Sequence, residues 1–260
     1  MSASLSSATP SGAVVPLGTQ LAMFVRLLAV QGAWNYETLL GNGIGFCVEP
    51  ALRRLPGGPE GEPYRAALAR QSQYFNAHPY LTAVAVGALA RAELDGEAPA
   101  RIERFRTALC GPLGAVGDRL VWASFLPLCS FTALLVFGLG GSALTVILVF
   151  LVLYNAGHLA LRVWGLRIGL RDGLGVARAL GHPALKHMPM RLGRLAAALA
   201  GAALPLALQR VIGPGRVLLG GVLVAVIVGG LLLSRLHGRV EGWKLAILAL
   251  TGFVLYATLR

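Results

Sequence analysis

Three short stretches carry most of the side chains with which this chain could hold a polar ligand. The first, Gln31-Gly-Ala-Trp34-Asn35-Tyr36-Glu37, brackets an amide with two aromatic rings and follows them with a carboxylate. Rings stack on the apolar faces of a pyranose while an amide and a carboxylate fork onto its hydroxyls; alternatively, Trp34 and Tyr36 anchor at a membrane interface. The second, Asn76-Ala77-His78-Pro79-Tyr80, follows a run of good helix formers. Pro79 pushes His78 out of helical conformation, so Asn76, His78 and Tyr80 share one turn. Such a cluster suits a polar ligand at depth, and a capping Asn beside a satisfied His has the same sequence. The third, Gly111-Pro-Leu-Gly-Ala-Val-Gly-Asp118-Arg119, delivers two opposite charges to the mouth of an uncharged run and predicts a gate pair, Asp118 with Arg119. Its three glycines and one proline predict irregular backbone before Asp118, because Gly loses the most entropy in a helix and Pro removes a donor.

The elements that must position these residues are membrane helices. From Leu120 to Leu161 there is no Asp, Glu, Lys or Arg, and a helix crosses a bilayer core with about 20 apolar residues. The run is long enough for two crossings, joined or broken at Phe137-Gly-Leu-Gly-Gly-Ser142. Leu17 to Gln31 is short for a span and fits an interfacial helix. Leu81 to Ala90 is shorter still and predicts a re-entrant or buried helix, whereas Arg91 to Arg106, mixed in charge, predicts a solvated face. Arg162-Val-Trp164-Gly resembles an interfacial stop, with Trp at the head groups and Arg in water. Three further apolar segments follow, Leu195 to Leu208, Val217 to Ser234 and Leu245 to Leu259, the last two forming a hairpin. The fold class is therefore an all-α integral membrane protein with discontinuous or re-entrant segments. Its organisation is a disordered tail (1–16) without a signal peptide's basic start and apolar centre, a membrane core (17–170), a basic linker (171–194) and C-terminal membrane segments (195–260).

Composition narrows the function. The 260 residues are 56% hydrophobic and 13% charged, with a net charge of +12. The basic residues are spread between apolar runs instead of forming a dense patch with aromatics, which argues against nucleic acid and for membrane lipid as the acidic partner. Cys47, Cys110 and Cys129 have neither C-x-x-C spacing nor an even count and read as core fillers. His182 and His187, five apart, fall on different helix faces, so no metal site is expected. Gly41-Asn-Gly-Ile-Gly45 lacks the Gly-Lys-Ser/Thr ending of a phosphate loop. No nucleophile and base stand at catalytic spacing.

Gln31-Gly-Ala-Trp-Asn-Tyr-Glu37, Phe75-Asn-Ala-His-Pro-Tyr80 and Gly111-Pro-Leu-Gly-Ala-Val-Gly-Asp118, in this order, resemble the IID membrane subunit of the mannose/fructose/sorbose family of the bacterial sugar phosphotransferase system, over about residues 20 to 165. The resemblance implies a multi-pass inner-membrane subunit without catalytic residues or cofactor of its own. It implies a hetero-oligomer with a IIC subunit, forming a path for a mannose-type hexose that cytosolic IIA and IIB phosphotransfer proteins phosphorylate during uptake. Trp34, Asn35, Glu37, Asn76, His78 and Asp118 would line that path or hold its backbone, and His78 would not carry the phosphoryl group. Two departures stand out: Arg119 replaces the proline that usually follows the motif's aspartate, and residues 171–194 are short and basic where the family has a longer polar insertion. They motivate a second reading, a non-transporting membrane scaffold that docks phosphotransfer proteins.

Overall fold

The computed structural model describes residues 14–212. Within that range the chain is helical: α1 (Leu17–Leu28), α2 (Gly41–Leu52), α3 (Glu62–Gln71), α4 (Thr82–Leu94), α5 (Pro99–Gly117), α6 (Leu126–Gly138), α7 (Ala143–Asp172), α8 (Ala177–Leu180) and α9 (Pro183–Ile212). A π-helical segment, Asp118–Phe125, welds α5 to α6. The tail expected over residues 1–13 and the two apolar segments expected beyond residue 212 lie outside the described residues.

The organising element is α4. Every residue from Thr82 to Glu93 is buried, with α2, α5 and α7 packed around it, so the short apolar run forms a core helix. Its closest neighbour is α7, and glycines make that approach possible. A Cβ on Gly87 would stand 2.5 Å from the Leu166 carbonyl oxygen and 2.8 Å from the Leu170 nitrogen, and a Cβ on Gly169 would overlap the Val84 carbonyl. Backbone contact of this kind is how helices associate where no hydrophobic drive separates side chains from lipid.

Among the described residues, three helices are long and apolar enough to cross a membrane: Pro99–Gly138, Ala143–Leu180 and Leu185–Val211. The uncharged run is thus a helical hairpin, turning at Leu139–Ser142, where Gly140 takes a φ of 100° and the Ser142 side chain caps α7. None of the most apolar stretch of α7 is buried by the other described residues. α9 lies along α6 and the π segment and runs without a break through residues 183–194, the second half of the expected linker. α1 buries Met23 and Leu27 and exposes Leu17, Leu21, Val25 and Leu28, the two-faced pattern of a helix at an interface. Its Arg26 is tied to Glu49 of α2 at 2.6 Å, and Glu49 also accepts from Arg53 and Tyr64.

Four expectations need correction. The glycine- and proline-rich stretch 111–117 stays α-helical, and the irregularity falls one turn later. Pro127 accounts for the shift: its ring would press on the carbonyl of Ala123 in a regular helix, and the wider π turn, with Leu126 N–H bonded to Val121, removes the conflict. Arg91 to Arg106 is not uniformly solvated. Arg91, Glu93 and Arg106 are buried: α3 packs its polar end against Glu93 and Arg106, and Arg91 pairs with Asp95 beside Gly173. Arg162 does not enter water; it is 3% exposed, and α7 continues ten residues beyond it. The gate pair is not formed: among the described residues no hydrogen bond or ion pair joins Asp118 to Arg119, and Arg119 Nε donates instead to the Ala115 carbonyl at 3.1 Å.

Candidate functional site

The three sequence stretches converge through backbone and ring contacts more than through their charged atoms. Asn35 organises the first: its Oδ1 accepts from the Glu37 and Thr38 N–H groups, each at 2.9 Å, and its Nδ2 donates to Thr38 Oγ1 at 2.8 Å. That tight turn sets Leu39 at a φ of 50°, and the strain is held by a second segment. Phe75 N–H donates to the Thr38 carbonyl and Leu40 N–H to the Phe75 carbonyl, both at 3.0 Å. Gly41 allows this approach, since a Cβ there would overlap the Gln73 carbonyl. The Trp34 and Tyr36 rings stand edge to face at 4.9 Å and are exposed, as is Glu37.

Phe75 leads directly into the second stretch. The end of α3 here is held by Arg106, whose guanidinium donates to the carbonyls of Gln71, Gln73 and Tyr74 at 2.5 to 3.0 Å. Glu93 takes the other side, accepting from Arg70 at 2.7 and 3.0 Å and from Gln71 at 2.6 Å. Neither residue is legible as a positioning group in the sequence, where both sit in a mixed-charge run. Asn76 is exposed, whereas His78 is 2% exposed. Tyr80 N–H donates to His78 Nδ1 at 3.2 Å, which leaves the proton on Nε2, an atom without a partner among the described residues. Burial pushes the His78 imidazole down to about 4, opposed by the nearby Asp118 carboxylate and reinforced by the Arg162 guanidinium. The ring is therefore neutral at physiological pH.

The third stretch meets the second at Gly117, where the backbone lies against the His78 side chain, and at Trp122, whose ring is 5.1 Å from the imidazole. Asp118 and Arg119 are exposed. From Trp122 a ladder of rings continues onto α7. Tyr80 stacks on His158 at 4.9 Å, its hydroxyl lies 3.0 Å from that of Tyr154, and the Arg162 guanidinium covers its face at 4.9 Å. Tyr154 stacks in turn on Phe125 at 5.8 Å. Arg162 also donates to the Leu27 carbonyl, tying α7 to α1. Tyr154, His158 and Arg162 were absent from the sequence-based candidates, yet their spacing of four places them on one helix face, within and just after a run whose one other titratable side chain is Cys129.

A cavity of about 220 Å³ opens beside this ladder, with Tyr80 and His158 as its polar groups and Phe125, Leu161 and Met188 among its apolar ones. Such a setting offers stacking surfaces and a few hydrogen bonds to a small polar molecule. It has no nucleophile with an adjacent base, and among the described residues no three His, Cys, Asp or Glu side chains gather to hold a metal.

Residues 18–206 match the family model for the PTS system mannose/fructose/sorbose family IID component. The chain belongs to this IID family. The match reaches past residue 165 through most of α9, further than the three motifs indicate. Among similar IID proteins are the PTS system mannose-specific EIID component of Escherichia coli (strain K12), 32% identical over 61% of this chain and 57% of the relative, and the PTS system sorbose-specific EIID component of Klebsiella pneumoniae, 32% identical over 63% and 60%. The Fructose permease IID component of Bacillus subtilis (strain 168) is also 32% identical, over 61% of this chain and 58% of its own. The alignments thus span about three-fifths of these IID relatives (57–60%). Two solved structures share the fold at 23% identity. One is described as a membrane protein, with a TM-score of 0.72 over 95% of this chain and 98% of that one. The other is a chain of the cryoEM complex of the mannose transporter ManYZ with microcin E492, with a TM-score of 0.56 over 94% and 97%.

Proposed function

We propose that this chain is the IID subunit of a hexose permease of the bacterial inner membrane, crossing it several times and pairing with a IIC-type subunit to form the sugar path. The family match over residues 18–206 carries the reading; the meeting of the second and third motifs at His78, Gly117 and Trp122 supports it. The hexose crosses while one helical body moves against the other around discontinuous helices, and the π segment between α5 and α6 is the discontinuity available for that movement. Cytosolic IIA and IIB proteins supply the phosphoryl group. His78, buried and held neutral, is a structural or sugar-contacting donor, not a phosphoryl carrier. Exposed Asp118, Glu37, Trp34 and Asn76 face outward from the ladder, where a IIC subunit or the sugar path would meet them.

The scaffold reading drew on Arg119 and on the short basic segment 171–194; the similar IID proteins are named for mannose, sorbose and fructose, which favours transport. Its test is to tag the chain, co-express it with the neighbouring IIC-like protein and the cytosolic phosphotransfer proteins, and follow labelled mannose uptake. The wild type should support uptake, and Asp118→Ala should lower it at least tenfold or abolish recovery of the complex. Unchanged uptake and complex yield in Asp118→Ala would overturn the role given to Asp118, and no uptake of any hexose by an intact wild-type complex would return the scaffold.

A further inference from the structure

Three clefts meet around the end of α7, sharing Arg171. The first, about 770 Å³, is polar and lies between the start of α1 and the 172–178 turn. The other two, about 790 and 460 Å³, run along the outside of α7 past Trp164 and Ile168, one flanked by Leu161, Leu185 and Met188 and the other by Ala160 and Val163. Arg171 borders all three, Arg178 borders the first and second, and Arg167 the first and third. The polar cleft also contains Asp95, Glu97 and Asp172, and each is bound by an arginine: Arg91 on Asp95, Arg101 on Glu97 at 2.7 Å and Arg171 on Asp172 at 2.6 Å. Arg167 and Arg178 are left as a surplus of two positive charges, with no ion-pair partner among the described residues.

A basic cleft opening onto two apolar grooves at the end of a membrane helix matches a phospholipid with an anionic head group and two acyl chains. Trp164 lines both grooves, and an indole favours the boundary of head groups and tails. The exposed apolar face of α1, with Leu17, Leu21, Val25 and Leu28, starts beside the same cleft, so one membrane surface would serve both. We infer that Arg167, Arg171 and Arg178 bind the head group of an anionic phospholipid whose chains lie along the Trp164 and Ile168 grooves of α7. This holds whether or not the chain conducts sugar.

The test uses the full-length chain purified from membranes with its IIC partner, delipidated in mild detergent and titrated with phosphatidylglycerol or phosphatidylethanolamine, with binding read by native mass spectrometry. The complex should retain phosphatidylglycerol in preference to phosphatidylethanolamine. With each interfacial arginine worth about fivefold, Arg167→Gln with Arg178→Gln should weaken phosphatidylglycerol about 25-fold and leave phosphatidylethanolamine unchanged. Trp164→Ala should weaken both lipids. Equal retention of phosphatidylglycerol by the wild type and the intact double variant overturns the proposal. So does full competition by millimolar inorganic phosphate or glycerol phosphate, which would make the cleft an anion site only. Cross-linking that places residues 213–260 or the IIC partner in the α7 grooves of the lipid-loaded complex would also overturn it.

Discussion

The contact between Gly117 and His78 is the point where two of the three motifs meet, and it can be measured as a coupling energy. A Cβ on residue 117 would lie 2.5 Å from His78 Cγ and closer still to its Cβ. Carbon atoms are at ease about 3.5 to 4.0 Å apart, so in Gly117→Ala the His78 turn or the π segment must move by about 1 Å or more. Overpacking of this size costs about 1 to 3 kcal/mol. His78→Gly alone empties a buried ring and costs about 3 kcal/mol by analogy with other large-to-small core changes. In the double variant the methyl group occupies part of the vacated space, so the losses should fall short of their sum by about 1 to 2 kcal/mol, well above the few tenths expected for independent sites. Thermal unfolding of the detergent-solubilised complex, followed by intrinsic fluorescence, supplies the four corners of the cycle. Additive losses within about 0.5 kcal/mol would refute the claim that these two residues hold the motifs together.

Other consequences follow from the same packing. Glu93→Ala leaves Arg70 and Gln71 facing a buried void, and should cost about 3 to 5 kcal/mol, seen as low yield and rapid proteolysis between α3 and α4; Glu103→Ala on the exposed face of α5 should cost nothing measurable. His78 sets a pH dependence. Its folded value, about 4, lies below the ordinary histidine value, so the unfolded chain takes up a proton that the folded chain refuses as pH falls below about 6.5. The stability associated with neutral His78 is thus fully present above that pH and is lost as pH falls toward 4. Melting curves between pH 7 and 5 should be steeper in pH for the wild type than for His78→Asn, and equal slopes would contradict the buried neutral ring. Gly87→Ala, with a methyl group 2.5 Å from the Leu166 carbonyl, should pry α4 from α7 and lower the melting temperature of the complex, while Gly111→Ala, which meets nothing within 4 Å, should leave it unchanged.

Much of the helical plan was legible because it rests on length and hydropathy. The uncharged run from Leu120 to Leu161 announced a hairpin, and the glycines near residue 140 marked its turn. The ten-residue apolar run at Leu81 was too short for a span, and its burial within the chain agrees with that arithmetic. Long-range effects were not legible. Pro127 decides where the helix widens, but the sequence draws attention to the denser glycines before Asp118, which the helix absorbs, Gly111 and Gly114 in open space and Gly117 against His78. Glu93 and Arg106 look solvated until the end of α3 folds against them. Arg162 marks a helix end by type, and only the approach of Tyr80 and of the Leu27 carbonyl shows that it is a brace. The ladder residues Tyr154 and His158 stand singly in an apolar run with no motif around them, although their spacing of four was readable.

Reconstitution tests the central claim most directly. The chain and its IIC-like neighbour are inserted together into sealed vesicles, with the cytosolic phosphotransfer proteins and a phosphoryl donor enclosed and labelled mannose outside. The account predicts that sugar phosphate accumulates inside only when both membrane subunits are present. Equal accumulation by vesicles containing the IIC-like protein alone would contradict it.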